Sequence, residues 1–437
     1  MASSLKALGQ LFQPKQDEPD TTPSLRDALT KPARTVASYY VTAAIRTLLR
    51  DIFDVVVHGR GQGFWVRAEY GGGKTHFLAV LAILLTEAVA AVWDALRDGE
   101  LQRDYRGPMT GKRLFRVTFS LLGAGEADAS DSLMRHFEKE IRDQLPDELR
   151  GKVSVVSEEL AVDWYDKEAG SLIKKALAGH FASTHGMTPD EFRSREGVRK
   201  LGAELLEVAK AQGMTIDVKG SFRERFAHIY QQITKLGGYD GILFVVDEFR
   251  SWQDRHLGKP SFEEGLQVLE TLAYYLPVEE HLNIITIVAS QGDCPQKLMG
   301  AQQGDRFIVR ELMSGRDQTD YGKIVCFRVR DILAGKAIDI EDYFKHCREQ
   351  YRFLRQTPQD YFCEIFPFQP RCFDILRRVT QSYERYGLPS ARSGIHIAWE
   401  TLRYDGLLSS RRLAVLSDLL NSRTLTTGLS AESFLGS

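Results

Sequence analysis

The chain has 437 residues, 43% of them hydrophobic and 27% charged, with a formal net charge of −2. That length allows two or three domains and a large buried core. The near-neutral balance excludes a wholly polybasic or polyacidic protein, although unevenly spread charge still permits contact with DNA or a membrane.

Five cysteines, Cys294, Cys326, Cys347, Cys363 and Cys372, form an odd set without a C-x-x-C pair. This argues against a disulfide framework and a zinc ribbon, and for reduced thiols. The start, Met-Ala-Ser-Ser-Leu-Lys, lacks the apolar stretch of a signal peptide. The most apolar run, Phe77 to Leu85, is too short to span a bilayer. The expectation is a cytoplasmic protein with no membrane partner.

Residues 1–35 carry Pro14, Pro19, Pro23 and Pro32 among charges and read as a flexible leader. From Val36 to Val57 the pattern turns helical, with Tyr40, Ala44, Leu48, Ile52 and Val55 on one face. A glycine-rich turn, His58 to Gly63, leads into a strand at Phe64–Ala68. After a second glycine-rich loop, His76 to about Leu96 is an alanine- and leucine-rich helix. Leu114–Phe119 is the next strand. A mainly helical insertion follows at about 124–238. In it Leu133, Phe137, Ile141 and Leu145 recur every four residues behind Ser130 or Asp131 as N-cap. Two strongly apolar strands come next, Gly241–Val246 and Asn283–Ala289, separated by a helix from Phe262 to Leu276. Lys323–Val329 is the fifth strand candidate, and the rest reads as helix. Alternating strands and helices predict an α/β fold, a parallel sheet covered on both faces. The expected domains are the leader, an α/β core over 36–330, and a C-terminal all-helical lid over 331–437.

The chemistry centres on Ala68-Glu-Tyr70-Gly71-Gly72-Gly73-Lys74-Thr75-His76. Glycines let backbone N–H groups close on phosphates; Lys reaches the β- and γ-phosphates, and Thr ligates Mg²⁺. Ala68 replaces the usual leading glycine of G-x-x-x-x-G-K-[ST]. A strand before the loop and a helix starting at Lys74 supply the P-loop context. A glycine-rich turn with a chance Lys-Thr is the alternative. Ile242 to Val246 ends in Asp247-Glu248, placing carboxylates at the carboxyl edge of a strand, where α/β sheets bind ligands. Asp247 then holds Mg²⁺ and Glu248 polarises the attacking water. Together these features read as a P-loop NTPase of the ASCE/AAA+ type, binding and hydrolysing ATP.

Ser290-Gln291 ends the strand expected between the loop strand and the Asp-Glu strand, the place of an AAA+ sensor 1; two turn residues are the alternative. Arg306, Arg310 and Arg316 are candidates for an arginine finger acting on a neighbouring subunit, which predicts an oligomer. A surface or salt-bridge role is the plainer reading of each. Arg392 is a sensor-2 candidate at the start of a lid helix. Between Arg371 and Arg412 eight arginines face four acids. Such a lid is able to touch DNA phosphates, with a solvated helical face as the alternative.

Tyr39-Tyr-Val-Thr-Ala-Ala-Ile-Arg-Thr-Leu-Leu49 and Ala68 to Leu78 together resemble the start of large bacterial P-loop ATPases of phage-resistance systems. The BREX and phage-growth-limitation ATPases are the nearest in pattern. Phe366-Pro-Phe-Gln-Pro370 and Leu388-Pro-Ser-Ala-Arg-Ser-Gly-Ile395 resemble their lid, with Gln369 where that family has His. The resemblance implies Mg-ATP hydrolysis alongside partner proteins in bacterial antiphage defence. A nucleotide-dependent signalling or DNA-loading switch with slow hydrolysis is the alternative.

Overall fold

The structure, a computed structural model, describes residues 5–19, 24–68, 73–86, 90–122, 132–167, 169–211, 221–299, 306–312, 318–382 and 390–426. Seven strands lie along these residues: β1 (Phe12–Pro14), β2 (Gln62–Arg67), β3 (Leu114–Ser120), β4 (Gly241–Asp247), β5 (Ile284–Ser290), β6 (Phe307–Glu311) and β7 (Arg330–Ile332). The chain divides into two compact units. The first comprises Met1–Asp51, Arg67–Arg106 and Glu311–Ser437; the second comprises Ile52–Val66 and Gly107–Arg310.

The second unit carries a five-stranded parallel sheet in the order β3-β4-β5-β2-β6, flanked by helices. β4 pairs in register with β3 on one side, Val245 opposite Thr118, and with β5 on the other, Val245 opposite Ile287. Every residue of β4 and β5 is buried. Layers on both faces remove the polar alternation of a half-exposed strand, which is why both read as unbroken apolar runs. β5 lies between β2 and β4, where the sequence placed it. Gly61, just before β2, is required by close approach. A Cβ there would sit 2.5 Å from the carbonyl oxygens of Leu282 and Ile284 and 2.4 Å from Pro277 Cβ.

The helix Leu133–Gln144 covers the sheet with Leu133, Phe137 and Ile141, the spacing of four seen in the sequence. Its N-cap is Ser132, whose hydroxyl accepts from Arg135 N at 3.4 Å. Ser130 and Asp131, the expected caps, lie outside the described residues. Beyond it, the helices Ser157–Lys167, Ser171–His185, Pro189–Glu196 and Val198–Ala211 enclose a small core of their own, including Val162, Phe181 and Leu205. The helix Pro260–Glu270 continues into π-helical winding over Thr271–Glu279, past the expected end at Leu276.

The first unit joins β1 and β7 as an antiparallel pair, Phe12 opposite Ile332. Three findings here differ from the sequence reading. The described part of the leader is folded: Leu8, Leu11 and Phe12 are fully buried, and helices form at Leu25–Leu29 and Pro32–Ala37. The helix expected from Val36 begins instead at Ala43, and its buried face is Ile45, Leu48, Leu49, Ile52, Phe53 and Val56. Lys323–Val329 is not a strand but the end of the helix Gln318–Val329, and β6 takes the fifth place in the sheet. The cause is spacing. Tyr321, Val325 and Val329 recur every four residues and enter the core of this unit beside Phe344, Phe362 and Phe366.

All five cysteines are free thiols, and four are buried. Burial pushes the Cys326 and Cys372 thiols up to about 12, so both are protonated and unreactive at neutral pH. No helix among the described residues is long and apolar enough to cross a membrane.

Candidate functional site

The glycine-rich loop leaves the carboxyl end of β2 and ends in the helix Lys74–Thr86. Tyr70, Gly71 and Gly72 lie outside the described residues. Gly73 has φ +77°, the left-handed region that a side chain disfavours, so glycine is needed there. Lys74 is 5% exposed and its Nζ donates to Ala68 O at 3.1 Å. The ammonium is thus folded back over the loop's own start. Thr75 stands half-exposed in the first helical turn, where backbone N–H groups have no intrahelical acceptor. The helix is apolar almost all round, Phe77 through Leu85 being buried. A helix end held so firmly presents its N–H groups to an anion without reorganisation.

His76 follows, and both of its ring nitrogens are engaged. Nε2 lies 2.9 Å from Thr35 O and 3.3 Å from Ser38 Oγ; Nδ1 lies 3.0 Å from Arg328 Nη1. A carbonyl oxygen only accepts, so Nε2 carries the proton and Nδ1 receives the guanidinium N–H. Tyr39 packs edge-on against the ring at 4.9 Å. His76 therefore ties the loop helix to the N-terminal segment and to the helix Gln318–Val329. Sequence reasoning missed Thr35, Ser38 and Arg328, which share no local spacing with His76.

In the second unit, Asp247 ends β4 with 2% exposure, and its Oδ1 accepts the N–H of Glu248 at 2.8 Å. Glu248 adopts φ 55° and ψ 39°, left-handed backbone that costs a non-glycine residue about 1–2 kcal/mol. The turn redirects the chain from the strand into the helix Phe249–His256 and leaves the carboxylate half-exposed. Gln291 Nε2 donates to Glu248 Oε2 at 3.4 Å, so the β4 and β5 ends meet through these two side chains. Ser290 is fully buried. Its Oγ accepts Gly292 N at 3.1 Å, and Trp65 Nε1 donates to Gly292 O at 3.3 Å, pinning the loop after β5. Ser290 acts on its own turn, while Gln291 is the residue that reaches the glutamate.

The arginines separate. Arg306 Nη1 lies 2.5 Å from Oε1 of buried Glu270 and donates to Lys297 O at 2.7 Å. Its structural role accounts for its placement. Arg306→Ala leaves the Glu270 carboxylate buried without its counter-charge and is expected to cost about 2–3 kcal/mol, read from the urea midpoint. Turnover of the folded fraction stays unchanged; a thousand-fold loss at unchanged stability would instead restore the finger role. Arg310 is exposed on β6 and bonds to its neighbour's Val309 O at 3.1 Å. Arg316 lies outside the described residues. Arg392 falls in the first turn of the helix Ser390–Leu402, with its side chain outside the description.

The Thr75 hydroxyl and the Asp247 carboxylate are hard oxygen donors, the type Mg²⁺ takes. Among the described residues no cluster of three or more His, Cys, Asp or Glu is placed to hold a metal by itself.

No family model matches the chain, and no curated protein does. Among solved structures it is similar to a structure of Drosophila ORC bound to DNA, with TM-score 0.34 and 11% identity over 96% of this chain and 70% of that one.

Proposed function

We propose that the chain is an AAA+-like ATPase that binds Mg-ATP at the loop Ala68–Thr75 and hydrolyses it with Glu248. The observation that carries this reading is the pairing of a strand–glycine loop–helix unit with an Asp-Glu strand end in one sheet. β5 stands between the two strands concerned. In a parallel sheet their carboxyl ends share one edge, the edge where α/β folds bind ligands.

Lys74 releases Ala68 O and turns its ammonium to the β- and γ-phosphates. The N–H groups of the loop and of the first helical turn receive the phosphate oxygens. Thr75 and Asp247 are the residues that would hold a magnesium ion, which would supply charge neutralisation at the phosphates. Glu248 accepts the proton of the attacking water, and Gln291 positions Glu248. Arg310 and Arg316 remain finger candidates and Arg392 the sensor-2 candidate, which makes a homo-oligomer the working assembly. Service in an antiphage defence complex with partner proteins rests on the resemblance of the loop and lid segments.

Titrating a fluorescent ATP analogue tests the core of this reading. Wild-type protein is expected to bind, and Lys74→Ala to weaken binding about 100-fold, the scale of a lost charge-assisted phosphate contact in a partly desolvated loop. Equal affinity for both proteins would sink it.

One observation favours a second reading, a slowly hydrolysing switch. Gln291 already occupies one oxygen of the Glu248 carboxylate. A glutamate restrained in this way engages the attacking water more slowly until nucleotide or a partner shifts Gln291.

A further inference from the structure

Trp65 stands in β2, the strand from which the glycine-rich loop departs, and is fully buried in the core that covers the sheet. Its indole touches the chain beside both members of the Glu248–Gln291 pair. Phe249, the residue after Glu248, packs edge-on against it with ring centres 5.2 Å apart. Gly292, the residue after Gln291, accepts the Nε1 proton on its carbonyl oxygen at 3.3 Å. Phe307 of β6 meets the indole at 5.9 Å, also edge-on.

Packing alone does not account for the bond to Gly292. Trp252 is buried in the same core, and its Nε1 has no acceptor among the described residues. A tryptophan is thus held in this core by its rings even where the N–H goes unmet. In Trp65 the N–H is instead directed onto the loop after β5. Gly292 is gripped twice there. Its N–H donates to Ser290 Oγ at 3.1 Å, which fixes the peptide it shares with Gln291, and its carbonyl receives the indole. From this clamp Gln291 Nε2 reaches Glu248 Oε2 at 3.4 Å. That distance lies at the long end of the hydrogen-bond range, so a small shift of the turn decides whether the contact is made. On the other side, Glu248 holds φ 55° and Phe249 anchors the chain directly after it. One side chain of β2 therefore sets the spacing of the two turns that end β4 and β5.

We propose that Trp65 is a positioning residue for hydrolysis, fixing Gln291 against Glu248 by holding Gly292 and Phe249. The inference rests on the ATPase reading of Glu248 and adds the element that sets the base. The indole is sealed from solvent, so it acts through Gln291 and not on substrate.

Trp65→Phe keeps an aromatic ring against Phe249 and Phe307 and removes the N–H. Steady-state ATP hydrolysis is compared in wild type, Trp65→Phe, Gln291→Ala and the double variant, with thermal unfolding checking that each is folded at the assay temperature. Trp65→Phe is expected to lower kcat about ten-fold, below the roughly hundred-fold that a displacement near 1 Å costs. KM is expected to stay within about two-fold, the pattern of an interaction that serves the transition state alone. In the Gln291→Ala background the same substitution is expected to change kcat by less than about two-fold, because the residue it acts through is gone. A purely packing role lowers kcat equally in both backgrounds. That result overturns the proposal, as does a kcat that does not fall in Trp65→Phe. Should Trp65→Phe not fold, benzothienylalanine at position 65, a bicyclic isostere without the N–H, takes its place in the same cycle. Failure of the ATPase reading looks different: wild-type protein then shows no turnover that Glu248→Gln removes.

Discussion

Glu248→Gln is expected to lower ATP turnover by a factor of about 10²–10⁴, the usual contribution of a positioned general base, while ATP affinity stays within a few-fold. The amide keeps the size and the hydrogen bond to Gln291 but takes no proton from water. Backbone geometry makes the test clean. Glu248 already sits at φ 55°, so Glu and Gln meet the same strain and the turn into the following helix is preserved. Steady-state hydrolysis and equilibrium ATP binding on the two proteins measure the split. A parallel loss of affinity and turnover would mean that the carboxylate holds the metal instead. Gln291→Ala is the companion: the restraint role expects higher basal turnover, the sensor role lower.

What made this half of the site legible was burial. β4 and β5 are covered on both faces, so their sequences are unbroken apolar runs, and the polar residues that end them stand out. The strand–loop–helix order was legible too, since the helix begins at Lys74 where the sequence placed it. β6 was not legible, since Phe-Ile-Val-Arg-Glu is a short edge strand with only Phe307 buried. Lys323–Val329 misled because its β-branched content imitates a strand, while the anchoring residue Tyr321 lies just outside it. The leader misled for a similar reason. Four prolines and many charges mask three apolar residues, Leu8, Leu11 and Phe12, that suffice to dock it.

Charge constellations assembled from distant segments leave no trace in local spacing. Arg306 reads as a free arginine until Glu270 is found opposite it. The His76 contacts with Thr35, Ser38 and Arg328 join three distant stretches of chain. Tertiary structure decides such pairings, so a single sequence does not display them. Glu248 is the intermediate case. Its identity was legible from Asp247-Glu248, but the left-handed turn that aims it was not, because nothing in the residue type demands positive φ.

The largest stability effect is expected at Phe137. Its ring meets Phe119 of β3 at 5.1 Å, Phe244 of β4 at 5.2 Å and Phe226 of the helix Phe222–Gly237 at 6.0 Å, all edge-to-face. Phe137 is fully buried, so truncation removes both apolar contact and three quadrupole-matched ring pairs. Phe137→Ala is expected to cost about 3–5 kcal/mol, lowering the melting temperature by roughly 10 °C. Phe137→Leu, which refills most of the space, should recover more than half of that. The loss has a functional reach, because Phe244 belongs to the strand that delivers Asp247 and Glu248. Loosening the layer over β4 lets that strand end move, and catalytic geometry is sensitive to displacements near 1 Å. Turnover in Phe137→Ala should therefore fall more steeply than the folded fraction well below its melting temperature. Thermal unfolding and hydrolysis followed over one temperature series give both quantities. A cost under 1 kcal/mol would show that the helix Leu133–Gln144 does not seal the sheet.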